Sequence, residues 1–152
     1  MSEEFEMAGS TIRLAFEKNV VVLYTYFQNF IYLPTPLQIK KNLPLAFKIR
    51  YSNVQYIIDC FEIQIEKPLD PIRQAQTWSQ YKSCNTIKYL ISCTPAGFIS
   101  FISEGYGGRI SNKAITEISG FIDVLPLKAV VMADRGFKEI ESLLSTKKYK
   151  TS

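Results

Sequence analysis

Histidine is absent from this 152-residue chain, and its absence excludes several kinds of active site. Without an imidazole there is no histidine-based nucleophilic triad, no histidine-ligated zinc and no imidazole general base. Any acid–base or metal chemistry must therefore rest on the carboxylates, of which the chain has 14.

Cysteine is scarce, and long apolar runs are missing. The three cysteines, at positions 60, 84 and 93, are odd in number and form no CxxC pair, which argues against a disulfide framework or a structural zinc site. The most apolar stretch, residues 20–26, is far shorter than the roughly 20 residues that cross a bilayer. The acidic N-terminus is unlike a signal peptide, so we expect a soluble protein with reduced thiols.

The bulk composition indicates a globular domain of ordinary polarity. Hydrophobic residues make up 47% of the chain and charged residues 21%, and 152 residues are enough for one domain with a core. The net charge of +4 and pI of 8.9 are compatible with a phosphate-rich partner, but they raise the expectation of DNA binding only slightly.

Periodicity predicts helices first and then a sheet. Residues 10–33 carry a helical apolar stripe, and Thr35 and Pro36 predict the start of a short helix. We predict strands at residues 56–65, 86–93, 98–103 and 129–132, a helix after Ser111 with an inner face of Ile115, Ile118, Phe121 and Ile122, and a short helix at 138–144. The second and third strands are expected to form a hairpin around a turn at 94–97, and the fourth to be buried on both faces.

This order of elements is typical of an α/β protein with a ribonuclease H-like mixed sheet. A right-handed crossover would place the first and fourth strands side by side and parallel. We therefore divide the chain into an N-terminal helical lead-in at 1–54, a partial ribonuclease H-like domain at 55–146 and a basic tail at 147–152.

Two isolated aspartates, Asp59 and Asp134, lie at the ends of apolar strand-like runs. A carboxylate is costly to place there without a cation or a hydrogen-bond partner, and neighbouring strands would aim both at one divalent ion. All-oxygen ligands suit Mg²⁺ or Mn²⁺. Glu62 is an accessory candidate only, because three residues along a strand it faces the other way unless a bulge re-aims it. Alternatively, both aspartates cap nearby turns, as Asp commonly does.

Basic residues supply candidates for contact with DNA phosphates, since Lys and Arg provide most of the non-specific attraction to DNA. Any one of them can equally be a solvated surface charge. The glycines at 105, 107 and 108 lack the spacing of a phosphate-binding loop and predict a bend. The phosphate candidates are Lys82, Lys88, Arg109 and Arg135.

Several motifs occur in order at spacings shared with one family. They are IIDCFEI, QTWSQYK, NTIK, TPAG, GGRIS, SGF and ADRGF, and they begin at residues 57, 76, 85, 94, 107, 119 and 133. Over roughly residues 30–145 the chain resembles the catalytic domain of Harbinger (PIF) type transposases, of the DDE superfamily endonuclease class. Phe61 departs from the pattern, since the family usually has Thr at that position.

The resemblance implies metal-dependent hydrolysis and strand transfer at DNA ends through three acidic residues. Asp59 and Asp134 match the first two, while the third is expected on a later helix, so that the final strand and helix would follow Ser152. We therefore expect little or no nuclease activity from this chain; the alternative is a catalytically silent remnant that binds DNA or protein. The implied partners are transposon-end DNA and a separate DNA-binding protein, in the nucleus or, alternatively, the cytoplasm.

Overall fold

The computed structural model describes residues 7–140 in two compact units, which divide between Tyr32 and Leu33. The first unit contains helix α1, Gly9–Phe27, followed by a 3₁₀ turn at Gln28–Phe30. The rings of Tyr26 and Phe27 meet edge to face at a centroid distance of 5.5 Å. Helix α1 includes the β-branched run at 20–22, although such residues have a low helix propensity. No helix in residues 7–140 has the length and apolarity needed to span a membrane.

Two short helices open the second unit. Helix α2, Pro36–Lys41, begins at the predicted cap: Gln38 N donates to Thr35 Oγ1 at 3.3 Å, and Thr35 N donates to Gln38 Oε1 at 2.8 Å. This reciprocal capping box satisfies two main-chain donors that the helix leaves free. Helix α3, Leu45–Arg50, follows Pro44.

A six-stranded mixed sheet forms the centre of the second unit. Its strands are β1 Tyr56–Gln64, β2 Trp78–Ser79, β3 Cys84–Cys93, β4 Ile99–Ile102, β5 Tyr106–Gly107 and β6 Val131–Ala133. Strand β3 pairs antiparallel with β1 along one edge, and with β2, β5 and β4 in turn along the other. Strand β6 pairs parallel with β1, so the predicted parallel neighbours and the predicted hairpin are both confirmed.

The remaining helices are α4 Pro71–Thr77, α5 Asn112–Ile118, α6 Phe121–Val124 and a 3₁₀ segment at Arg135–Ile140. Ser111 caps α5 as predicted, accepting from Ala114 N at 3.1 Å. The prediction missed α4 and the two-residue strands β2 and β5. The helix predicted at 138–144 is a 3₁₀ turn as far as Ile140; its remainder and the basic tail at 147–152 lie outside the described residues.

The core lies on one face of the sheet, where alternate β1 residues point. Tyr56 and Ile58 are buried there with Leu90, Ile115 and Phe121, while Asp59 points to the other face. Two packing predictions were wrong. Ile118, the last residue of α5, is 57% exposed, whereas Ile115 in the middle of the helix is fully buried. Strand β6 is not central within residues 7–140: it pairs with β1 alone, and its last residue is exposed.

Candidate metal site and its surroundings

The two aspartates follow the end of the parallel β1–β6 pairing. Ile58 is in register with Ala133, the last residue of β6, so Asp59 and Asp134 are the next residues of their two segments. Adjacent strands are about 4.8 Å apart, and residues in register share a face. Both aspartates are exposed, and strand alternation puts them on the face opposite the core.

Each aspartate has one oxygen engaged by its own main chain. The N–H of Cys60 donates to Asp59 Oδ1 at 2.7 Å, and the N–H of Arg135 donates to Asp134 Oδ1 at 2.6 Å. Within residues 7–140 the second oxygen of each carboxylate accepts no hydrogen bond. Such local hydrogen bonds agree with the alternative in which both aspartates cap turns. They leave one oxygen of each carboxylate free to bind a ligand.

The donor chemistry of this pair fits a hard divalent cation. Mg²⁺ is commonly held by one or two carboxylates, with water and substrate phosphates completing the octahedron. Across the described 7–140 range, however, no set of three Asp, Glu, Cys or His side chains is close enough to hold a metal. The two aspartates therefore have the type of donor atom that a divalent cation prefers. The described residues supply no third carboxylate for the same ion.

Glu62, the accessory candidate, lies on the opposite face from Asp59, because the β1–β3 register runs without a bulge between them. Its side chain is only 8% exposed, and its carboxylate accepts from Thr86 Oγ1 at 2.8 Å and lies 3.3 Å from Lys88 Nζ. Burial alone would raise the pKa of Glu62, but hydrogen bonds from Ser79, Thr86 and Lys88 and the charge of Lys88 outweigh it, so the pKa is lowered. Glu62 thus forms a buried ion pair away from Asp59.

Of the four phosphate candidates, Lys88 is used internally. Its side chain is 12% exposed, and its ammonium also donates to Ile110 O at 2.9 Å. The other three are exposed. Lys82 Nζ lies 5.1 Å from the ring centre of Tyr81, Arg135 follows Asp134 directly, and Arg109 lines a separate cavity. Of the four candidates, only Arg135 is adjacent in sequence to one of the two aspartates.

An aromatic pair adjoins Asp59 on its own face of the sheet. Phe61 and Tyr89 are cross-strand partners whose rings stack at 5.2 Å with an interplanar angle of 15°. Phe61 is 39% exposed, so the pair presents an apolar surface next to the carboxylate. The stacked rings of Phe61 and Tyr89 therefore shape the surface beside Asp59.

Cys60 follows Asp59 but points to the core face. Burial raises the pKa of its thiol to about 11; Lys88 opposes the shift, and the charges of Asp59 and Glu62 add to it. We expect iodoacetamide at pH 8 to modify Cys60 at least about 100-fold more slowly than an ordinary thiol, because the thiolate is the reactive form. Mass spectrometry of the labelled peptide measures this rate, with the urea-unfolded chain as control; equal rates in both states would contradict the expectation.

Residues 58–152, well over half of the chain, match the DDE superfamily endonuclease family, and the chain belongs to that family. The matched region contains Asp59 and Asp134, and the family suggests a transposase-derived nuclease of a class that typically uses divalent metal ions. No curated protein and no solved structure matches the chain.

Proposed function

We propose that this chain is a nuclease domain of the Harbinger (PIF) transposase type, in which Asp59 and Asp134 hold Mg²⁺ or Mn²⁺ against a DNA phosphodiester. The observation that carries the proposal is the parallel β1–β6 register, since it ends at the residues that immediately precede Asp59 and Asp134, both in the family-matched region. A ribonuclease H-like arrangement is supported by the same feature, since the first strand lies beside the strand that follows the crossover.

The roles of the residues follow from their positions. The free oxygen of each aspartate would bind the cation, which when present supplies Lewis-acid polarisation of the scissile phosphate and activation of water. The main-chain N–H groups of Cys60 and Arg135 hold the two carboxylates in orientation. The exposed guanidinium of Arg135 is available to offset phosphate charge beside the site.

Two carboxylates bind a divalent cation weakly and leave its geometry loosely defined. We therefore propose that the 152-residue chain alone cleaves DNA slowly or not at all, and that it works with DNA and a separate DNA-binding protein. A nuclear location follows from those partners, with the cytoplasm as the alternative. We further propose that the chain consists of a helical lead-in at 1–54, the nuclease domain at 55–146 and a basic tail at 147–152.

Metal binding tests the site directly. Titration with Mn²⁺, followed by electron paramagnetic resonance of the free ion, should show binding that Asp59→Asn and Asp134→Asn each weaken at least about 10-fold, because each removes a charged ligand. Asp123→Asn is the matched control: this aspartate is exposed in the first turn of α6. Retention of the wild-type affinity in both site variants would exclude the proposed metal site.

Cleavage of linear duplex DNA in Mn²⁺ tests the proposed inactivity. Metal-dependent cleavage abolished by Asp134→Asn would show that this chain is an active nuclease and overturn the inactivity. Absence of cleavage, together with a partner protein that still co-purifies with the Asp59→Ala variant, would favour the silent binding protein.

A further inference from the structure

A cavity of about 590 Å³ opens at the end of the sheet away from β6. It lies between helix α4 and the segment that runs from β5 to Ile110, and it is within the roughly 300–1,000 Å³ typical of small-molecule sites. Two arginines, Arg73 and Arg109, line it, and none of its lining residues within 7–140 is acidic.

Both guanidiniums are available for a ligand. Arg73 lies 3.9 Å from Asp70, but its side chain is 77% exposed and the pairing is weak. Arg109 is exposed and has no ion-pair partner among residues 7–140. The positive charge at the cavity is therefore only slightly offset by the surrounding protein.

The main chain ties the backbones of the two arginines to the same helix. Arg109 N donates to Gln76 O at 3.2 Å, which ties the Arg109 backbone to the end of α4. Arg73 lies three residues before Gln76 and so shares its side of that helix. Gly107 allows this approach, because a Cβ there would overlap the main-chain carbonyl of Gln76.

The remaining walls are largely apolar. Ile65, Ile87 and Ile110 contribute aliphatic surface, and Tyr106 contributes an aromatic ring. Guanidinium groups recognise phosphate oxygens through paired hydrogen bonds, and apolar and aromatic side chains contact the flat faces of bases. A ligand that combines both is a nucleotide.

Part of the cavity wall lies on the face of the sheet that carries Asp59. Ile87 pairs with Ile63, four residues after Asp59 on the same side of β1. Six residues separate Asp59 from Ile65, a span of about 20 Å in a strand. One DNA strand can therefore reach both places.

We propose that this cavity binds one nucleotide unit of a DNA strand, with Arg73 and Arg109 on its phosphate. The proposal rests on the proposed function for the identity of the strand, but it requires no metal. A free mononucleotide presents the same chemistry, so the test must separate the two sources.

The experiment is fluorescence anisotropy with a labelled single-stranded oligodeoxynucleotide in EDTA, which removes metal binding from the measurement. Arg73→Ala/Arg109→Ala should weaken binding at least about 30-fold and lower the slope of log affinity against log salt by about 0.7, since one phosphate is no longer neutralised. The control Lys48→Ala/Arg50→Ala removes two exposed charges from α3 and should change affinity less than about 3-fold. Thermal melts of both variants establish that they fold.

Each outcome decides the proposal. Equal weakening by the two double variants would mean general surface attraction and overturn it. If dAMP displaced the oligonucleotide and bound as tightly as the oligonucleotide does, the cavity would be a site for free nucleotides. That result would overturn the assignment to a DNA strand. Failure of dAMP to compete at equal concentration, with selective loss in the arginine variant, supports it. Because the oligonucleotide is measured in EDTA and the Mn²⁺ titration is made without DNA, failure of the metal site and failure of this cavity are separately visible.

Discussion

Replacing Gly107 with alanine should lower the free energy of unfolding by about 3 kcal/mol, at the upper end of what overpacking costs. A Cβ at this position would overlap the carbonyl oxygen of Gln76 and lie 2.9 Å from its carbon. The obstacle is main chain rather than a flexible side-chain tip, so relief requires α4 to move away from β5. Such a movement would break the hydrogen bond from Arg109 N to Gln76 O.

Urea denaturation measures this loss, and a fall of about 10 °C in Tm should accompany it. Gly136→Ala is the matched control, because among the described residues a Cβ there would meet only the terminal amide nitrogen of Asn112, at 3.0 Å. That side chain can rotate away, so a change within about 0.5 kcal/mol is expected. If Gly107→Ala were as stable as Gly136→Ala, the close contact between α4 and β5 would be wrong.

Glu62→Gln should destabilise the second unit by about 3 kcal/mol, a typical loss when one partner of a buried ion pair is removed. The substitution keeps the side-chain volume but leaves the ammonium of Lys88, 12% exposed, without its carboxylate. Glu66→Gln is the control, since Glu66 is exposed just after the strand. The double substitution Glu62→Leu/Lys88→Met should recover most of the loss, because replacement of both charges leaves none buried alone.

The pH dependence gives the same pair a second test. The folded pKa of Glu62 lies below its ordinary value of 4.5, so at acid pH the unfolded chain binds this proton first. The ion pair contributes its full stabilisation above pH 4.5, and this contribution is lost as the pH falls through the lowered pKa of Glu62 in the folded state. Wild type should therefore lose more stability than Glu62→Gln below pH 4.5, measured by urea titrations across that range. Parallel pH profiles would contradict the ion pair.

The parts of the fold that follow from local patterns were predictable, and the parts that depend on long-range packing were not. Alternation in β1 and the cap at Thr35 are local signals, and the handedness of crossovers implied that β1 and β6 are parallel neighbours. Helix α4 was missed because its polar sequence has no apolar stripe. Asp70 nevertheless caps this helix and accepts hydrogen bonds from Ile72 N and Arg73 N. The signal available was an Asp-Pro pair at a helix start.

The candidate site shows the same division. The Asp59–Asp134 neighbourhood follows from topology and needs no side-chain detail. The burial of Lys88 against Glu62 could not be predicted, since an isolated lysine in a strand gives no indication of its cross-strand partner. Arg73 was passed over for the same reason: its place beside Arg109 depends on where α4 packs.

The short length of β6 leaves the long strand β1 with two different sides. Along Ile57–Gln64 one side is paired with β3, whereas pairing with β6 stops at Ile58. The N–H of Ile65 donates to Asn85 O on the β3 side. Because N–H groups alternate along a strand, those of Cys60, Glu62 and Gln64 point to the other side. The N–H of Cys60 donates to Asp59 Oδ1. Within residues 7–140 no strand covers the other two. An extended peptide could therefore add to the sheet beside the aspartates by main-chain hydrogen bonding alone, without displacing any existing bond.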